Sequence, residues 1–136
     1  MTTTKLFSSA IVLVTADIKR TTNYYNEVLG FEVVEHYELE EKFAACYRDE
    51  VEIVFVQSCQ GKIKSNQTRY GAGYDAYLCS EDVDVFYEEV RKKGAEEIIE
   101  PPVMTTYGSY EFVIEDIEGR RIGVGRVRDK AKFFAE

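Results

Sequence analysis

The sequence predicts an α+β domain built from two βαβββ modules whose curled mixed sheets enclose a groove. A capped helix follows an apolar strand near the N-terminus, and the same pattern returns about 65 residues later. Each copy precedes three further strand-like stretches joined by short turns, and a polar stretch separates the copies. The chain therefore divides into a first module at 5–57, a linker at 58–73, a second module at 74–128 and a tail at 129–136. A repeat of this length indicates a duplicated module, and one helix against one sheet is an α+β arrangement.

The first module is organised around a helix between Asp17 and Gly30. Asp17 is a favoured N-cap residue, and Gly30 stands where a left-handed residue commonly ends a helix. A strand at 7–14 precedes this helix, and because both of its faces are apolar we expect it to be covered on both sides. The module's other strands are expected at 31–39, 43–47 and 51–57.

The second module repeats this order. Its helix is predicted from apolar residues spaced by three and four positions, namely Val83, Phe86, Tyr87 and Val90. We align Asp17 with Asp82, and the pair Tyr24–Tyr25 with Phe86–Tyr87. Strands are expected at 74–79, 96–99, 103–106, 110–115 and 121–127. Pro101–Pro102 interrupts the second of these because proline is excluded from central strands.

Composition restricts the class of partner. A net charge of −8 argues against nucleic acid and against anionic membranes, since neither would find enough cations on the protein. The same charge suits a neutral or cationic ligand, and is equally that of an ordinary soluble protein. No apolar run approaches the roughly 20 residues of a membrane span. Three cysteines without a C-x-x-C pair favour free thiols in the cytoplasm.

Two blocks carry a resemblance to a known family. The first is Asp17 with Tyr24–Tyr25 and Val28–Phe31, and the second is the turn Asp116–Gly119. With the paired modules, they resemble the vicinal oxygen chelate superfamily, which includes glyoxalase I, extradiol dioxygenases and bleomycin-resistance proteins. The resemblance covers nearly the whole chain and implies the glyoxalase/bleomycin-resistance fold. It leaves the reaction open, because function depends on the site rather than on the fold.

The resemblance also implies where a metal would bind. The family's four ligand positions fall on Ala10, Glu52, Asp75 (or Tyr74) and Gly123. Alanine and glycine side chains cannot bind metal, and a catalytic metal site generally has about three protein ligands. We therefore expect no metal and no other cofactor. Two carboxylates with bound waters could still hold a divalent cation such as Mg²⁺.

Strand alternation predicts the side chains of the groove. Gly123 and Gly125 are expected to leave room for a ligand, and a turn carrying two tyrosines is expected at the groove mouth. The structural alternative for the groove carboxylates Glu52 and Asp75 is a solvated or salt-bridged sheet face, in which Arg121 pairs with one of them. The structural alternative for the turn with two tyrosines is a plain hairpin turn. The predicted ligand-binding residues are Glu52, Val54, Asp75, Tyr77, Tyr107, Tyr110, Arg121 and Gly123.

These features favour a bleomycin-resistance-like protein that binds a small organic molecule in an apolar, acidic groove without a catalytic metal. The same resemblance implies a homodimer with grooves at the subunit interface. The alternative is a lyase, isomerase or dioxygenase that uses Glu52 or Asp75 as a base or metal ligand. A third possibility is a dimer that binds a protein partner and whose groove has lost its ligand. Whether the protein is an enzyme therefore stays open at this stage.

Overall fold

The computed structural model describes residues 2–94 and 98–135. The first module comprises β1 (Ile11–Thr15), α1 (Ile18–Glu27), β2 (Glu32–His36), β3 (Phe43–Arg48) and β4 (Val51–Gln57). A short helix, α2 (Asn66–Tyr70), follows it. The second module comprises β5 (Ala76–Cys79), α3 (Val83–Lys92), β6 (Ile98–Met104), β7 (Ser109–Glu115) and β8 (Arg121–Val127). The chain then continues into α4 (Lys130–Phe133).

Both modules have the same sheet topology. The first sheet has the order β1-β4-β3-β2 and the second the order β5-β8-β7-β6. In each sheet the first strand runs parallel to the last, and the other neighbours are antiparallel. The predicted α+β fold of two βαβββ modules is therefore confirmed, and the two sheets stay open. No helix of the described residues is both long and apolar enough to cross a membrane.

The two long helices begin in the same way. The side chains of Asp17 and Asp82 each accept a hydrogen bond from the backbone N–H three residues later, at 3.1 Å in both cases. Counted from these caps, Tyr25 corresponds to Val90, and both are fully buried. The predicted alignment of Tyr24–Tyr25 with Phe86–Tyr87 is therefore wrong, because it matched aromatic residues rather than positions along the helix.

The first strand is shorter and more open than expected. It begins at Ile11 instead of residue 7, and residues 2–10 are exposed. Ile11 and Leu13 pack against the core, but Val12 and Val14 on the other face are exposed. The prediction that both faces are buried is therefore wrong, because the part of the chain that the structure describes leaves Val12 and Val14 exposed.

Two other segments differ from the prediction. The polar stretch 58–73 contains α2, whose first turn is capped by the Ser65 side chain. Strand β6 continues without a break through Pro101–Pro102, where the sequence predicted an interruption. Strand β6 lies at the edge of its sheet, and its pairing with β7 contains two register shifts. Proline lacks a backbone N–H, and both an edge strand and a bulge tolerate this loss. Residues 95–97, which include the expected start of this strand, lie outside the described residues.

A buried polar network joins the modules at the β7–β8 turn. Arg120 forms ion pairs with Asp116 at 3.0 Å and with Glu118 at 2.7 Å. Glu118 also accepts hydrogen bonds from Thr15 Oγ1 at 2.5 Å and from the Ala16 amide at 2.9 Å. The turn Asp116–Gly119, which carries part of the family resemblance, therefore has a structural role. It attaches the second module to strand β1 of the first module.

Candidate functional site

A buried carboxylate lies on the open face of the second sheet. Glu111 in β7 is only 3% exposed. Its Oε2 accepts a hydrogen bond from the Tyr77 hydroxyl at 2.6 Å, and its Oε1 accepts bonds from Tyr74 at 3.1 Å and from Tyr107. The Tyr77 hydroxyl also lies 3.1 Å from Ser109 Oγ. We refer to Glu111, Tyr74, Tyr77, Tyr107 and Ser109 as the Glu111 cluster.

Strand register explains how this cluster forms. Glu111 pairs with Gly125, and Tyr77 pairs with Gly123, so β8 places a glycine beside each of the two side chains. A Cβ atom on Gly125 would lie 2.1 Å from the Tyr77 hydroxyl oxygen, and one on Gly123 would lie 2.8 Å from Tyr77 Cδ2. The room that these glycines were expected to leave for a ligand is therefore filled by the protein's own tyrosine rings.

The tyrosines of the cluster are held as hydrogen-bond donors. Burial and the neighbouring Glu111 raise the pKa of Tyr74, and burial and the hydrogen bond to Glu111 raise the pKa of Tyr77. Burial and the hydrogen bond to Glu111 also raise the pKa of Tyr107. All three phenols therefore keep their protons at neutral pH. Within residues 2–94 and 98–135, no lysine, arginine or histidine forms an ion pair with Glu111.

The C-terminal segment supports the loop that carries Tyr107. The carbonyl oxygen of Gly108 accepts hydrogen bonds from the amides of Arg128 at 2.9 Å and Asp129 at 3.0 Å. Gly108 has φ of +89°, and a Cβ there would lie 2.6 Å from the Asp129 carbonyl oxygen. The Phe133 ring lies 6.4 Å from the Tyr107 ring, measured between centroids. Residues 128–133 therefore hold one wall of the cluster in place.

Tyr110, in contrast, lies on the other face of the sheet. Its hydroxyl donates to Asp84 Oδ1 at 2.6 Å, and the Arg128 guanidinium lies 3.8 Å from its ring centroid. The expected place at the groove mouth beside Tyr107 is wrong. Successive residues of a strand point to opposite faces, so the neighbour of Glu111 faces helix α3.

Asp75 is engaged by the backbone. Its Oδ1 accepts the Asn66 amide and its Oδ2 accepts the Arg121 amide, both at 2.9 Å. The expected pairing with Arg121 is thus made to the main chain rather than to the guanidinium group. These bonds fix the start of α2 against the start of β8, and they leave Asp75 poorly placed to receive a ligand.

Glu52 and Val54 lie on the open face of the first sheet. Glu52 is directly opposite Tyr47, and their hydrogen bond raises the pKa of the Tyr47 phenol. Val54 pairs with Val12. In the described part of the chain, no hydrogen bond or ion pair connects Glu52 to Asp75. Glu52 lies in β4 of the first sheet, whereas Asp75 immediately precedes β5 of the second.

The four metal positions implied by the resemblance do not form a ligand set. Gly123 lies beside the rings of Tyr74 and Tyr77, and both oxygens of Asp75 accept backbone hydrogen bonds. Ala10 offers only a methyl group. Among residues 2–94 and 98–135, no three His, Cys, Asp or Glu side chains are grouped so that they could hold a metal ion.

Sequence reasoning missed the central residue of the site. Glu111 was absent from the predicted groove residues, as was Ser109, and Tyr74 appeared only as an alternative metal position. A usable signal was present, because Glu111 is an acidic residue next to the apolar run Phe112–Ile114. Counting alternate residues back along that strand would have placed it on the face opposite Phe112 and Ile114.

Comparison with known proteins places this architecture in context. The family model for the Glyoxalase/Bleomycin resistance protein/Dioxygenase superfamily matches residues 8–124. No curated protein matches the chain. Among solved structures, a glyoxylase/bleomycin resistance protein/dioxygenase domain from Frankia sp. EAN1pec is similar, with a TM-score of 0.73 and 14% identity. That match covers 93% of this chain and 96% of the other.

Two further structures show the same architecture. An integron cassette protein from the mobile metagenome of V. cholerae has a TM-score of 0.64 and 24% identity, over 92% of this chain and 98% of its own. A bleomycin-binding protein from Streptomyces verticillus, in complex with copper(II)-bleomycin, has a TM-score of 0.64 and 17% identity. It covers 90% of this chain and 97% of its own. At these identities the likeness concerns the fold alone.

Proposed function

The chain belongs to the Glyoxalase/Bleomycin resistance protein/Dioxygenase superfamily, and from this premise we propose that it binds a small organic molecule on the open face of its second sheet. The observation that carries the proposal is the Glu111 cluster, in which three tyrosine rings surround a buried carboxylate. Ligand sites commonly combine aromatic walls with a few polar groups of fixed direction. The cluster offers both on one face.

The proposed site has surfaces that a ligand can reach. Tyr74 and Tyr77 are each 37% exposed and Tyr107 is 45% exposed, so the rings border solvent while their hydroxyls point at Glu111. Tyrosine suits such a position because it presents a flat apolar ring together with a polar tip. A solved relative in this superfamily binds copper(II)-bleomycin, which supports small-molecule binding as a use of this fold.

Binding by this site requires no resident metal. The family's ligand positions fall on residues that lack donors or are already engaged, so we assign no metal-dependent step to the protein. Sequestration of a ligand needs only affinity. The catalytic alternative relied on Glu52 or Asp75, and the backbone hydrogen bonds that engage both oxygens of Asp75 favour binding over catalysis.

We further propose that the open face of the first sheet is covered by a second copy of the chain. Val12, Val14 and Val34 are all exposed there, and Tyr47 lies on the same face. Contiguous apolar surface on a sheet commonly marks an interaction site. A twofold pairing would bury one such face against another, since the same patch then serves both subunits.

A ligand screen tests the binding function. We expect aromatic compounds to raise the melting temperature of the purified protein, because a ligand at 100 times its Kd adds about 2.7 kcal/mol to stability. Tyr77→Phe should weaken that stabilisation, whereas Tyr70→Phe should not, since Tyr70 is exposed on α2. A screen of several hundred aromatic metabolites and antibiotics without a single stabilising compound would argue against the proposal.

Elemental analysis of the same preparation tests the absence of a metal requirement. We expect substoichiometric metal in protein that still binds its ligand. One transition-metal ion per chain, lost in Glu52→Gln together with ligand binding, would contradict this part of the proposal.

A further inference from the structure

We infer that the Glu111 cluster selects ligands that carry a cationic nitrogen attached to an aromatic or apolar body. This inference rests on the proposed function and names the class of ligand for the same site. It follows from the charge of the cluster, from its ring faces and from the hydrogen-bonding capacity that the cluster leaves unused.

The charge of the cluster is the first step. Three phenols donate hydrogen bonds to the two carboxylate oxygens of Glu111. The phenols bring no positive charge to the cluster, because their raised pKa values keep them neutral. Within the described ranges, Glu111 has no cationic side chain in an ion pair. A buried anion without a counter-ion is costly, so a ligand that brings a positive charge gains more here than a neutral one.

The ring faces are the second step. The rings of Tyr74 and Tyr77 lie 5.8 Å apart between centroids and are tilted by 35°. The two rings therefore form a shallow aromatic corner next to the carboxylate. Aromatic faces attract cations within about 6 Å of the ring centroid, and the attraction grows when the cation is partly removed from water. A neutral aromatic ligand would gain ring packing alone.

Unused hydrogen-bonding capacity is the third step. A carboxylate offers about four acceptor positions, and the phenols of the cluster take three of them. Among residues 2–94 and 98–135, Oε2 accepts one hydrogen bond, from Tyr77, so one position on this atom remains for an N–H group. An ammonium group can fill this position while its aliphatic or aromatic substituent contacts the rings.

The surroundings have the same sign. The chain carries a net charge of −8, which attracts cations and repels anions over distances of about a Debye length. Glu100 lies near enough to Tyr74 to contribute to its raised pKa. An anionic ligand would therefore meet repulsion both from the cluster and from the rest of the protein.

A matched set of small probes tests the inference by NMR titration. Benzylammonium, benzyl alcohol and benzoate have similar sizes and differ in charge. We expect benzylammonium to bind wild-type protein at least about tenfold more tightly than benzyl alcohol, and benzoate to bind most weakly. Intermolecular NOEs from benzylammonium should reach ring protons of Tyr74 and Tyr77. In Glu111→Gln the preference should fall to about twofold or less, whereas Glu52→Gln on the first sheet should keep it.

The possible results separate this inference from the function on which it rests. Equal binding of benzyl alcohol and benzylammonium, with NOEs to the cluster, would overturn the cation preference and leave small-molecule binding intact. Failure of every probe and of the wider ligand screen would overturn both. If Glu111→Gln fails to fold, the NOEs and the probe ranking in wild-type protein still decide, and benzylammonium NOEs confined to the first sheet would refute the assignment.

Discussion

The Tyr25 hydroxyl donates a 2.6 Å hydrogen bond to Asp116 Oδ2, and this bond joins helix α1 of the first module to the β7–β8 turn of the second. The same Oδ2 atom accepts from Arg120 Nη1 at 3.0 Å, and Oδ1 accepts two backbone amides of the turn. All of these groups are buried. The modules therefore share a polar core as well as an apolar one, and each depends on the other for its hydrogen-bond partners.

We predict that Tyr25→Phe lowers the free energy of unfolding by about 1–3 kcal/mol. The substitution keeps the ring but removes a donor from a buried carboxylate, and an unsatisfied buried group costs about that much. Urea unfolding followed by circular dichroism measures the change. Tyr87→Phe is the matched control, because Tyr87 is a partly buried helix tyrosine that packs edge-on against Phe112. Equal losses in the two variants would show that the bond to Asp116 adds nothing.

Glu118 should make the protein sensitive to acid. Burial acts to raise the pKa of Glu118, but hydrogen bonds from Thr15 and the Ala16 amide, together with the Arg120 charge, hold it below its ordinary 4.5. A carboxyl group with a lowered pKa in the folded state binds fewer protons than in the unfolded chain. Its stabilising contribution is therefore present above about pH 4.5 and is lost as the pH falls further.

Unfolding experiments from neutral pH down to about pH 3 test this dependence. Glu118→Gln should be less stable than wild type at neutral pH, and the difference should shrink as the pH falls. Glu50→Gln, at an exposed position between β3 and β4, serves as the comparison for a general change in net charge. Parallel stability curves for wild type and Glu118→Gln would mean that this carboxylate does not titrate with unfolding.

The sequence predicted the architecture because its strongest local signals are repeated. These signals are short-range features, which depend little on the rest of the fold. They are the aspartate caps at 17 and 82, the glycines at 30 and 94, and the apolar periodicity between each cap and its glycine. The errors arose where the outcome depended on partners distant in sequence. Val12 and Val14 are apolar strand residues of the kind that is usually buried, but no element among residues 2–94 and 98–135 covers them.

The site was harder to predict for the same reason. Tyr77 and Tyr107 were expected on the groove face, but the residue between them in space, Glu111, follows from the register of β7 against β8. Asp75 had the composition of a catalytic group, and only the folded chain shows that two backbone amides use its oxygens. The glycines of β8 indicated free space, whereas the rings that fill it come from another strand.

Gly125→Ala should disrupt the Glu111 cluster. The new methyl group would lie 2.1 Å from the Tyr77 hydroxyl oxygen and 2.8 Å from Glu111 Cβ, so the tyrosine must move away. Forcing extra atoms into a packed region typically costs about 1–3 kcal/mol. In a Tyr77→Phe background the closest of these contacts disappears, and the same substitution should cost less. A double-mutant cycle by urea unfolding measures the difference, and additive costs would contradict the steric explanation.

Tyrosine ionisation should show the protection of the cluster directly. The pKa values of Tyr74, Tyr77 and Tyr107 are raised above the ordinary 10.0, chiefly by burial and by Glu111. A phenol whose pKa is raised by folding contributes its full stabilisation below about pH 10. This contribution is lost as the pH rises above about 10 through the pKa values of the folded state. In an absorbance titration near 295 nm, Tyr77→Phe should remove amplitude from the late phase. If the amplitude of the late phase is unchanged in Tyr77→Phe, the pKa of the Tyr77 phenol is not raised as we predict.

The open face of the first sheet yields a prediction about assembly. Val12 in β1 and Val85 in α3 are the same residue type and are both 63% exposed, but they lie on different surfaces. If the face of Val12 binds a second copy, Val12→Asp places a charge in an apolar interface and should convert a dimer into a monomer. Val85→Asp should leave the dimer intact. Light scattering coupled to gel filtration measures the mass of each variant in solution and so distinguishes a monomer from a dimer. A wild-type monomer at about 100 μM, or a dimer that survives Val12→Asp, would exclude this face as the subunit interface.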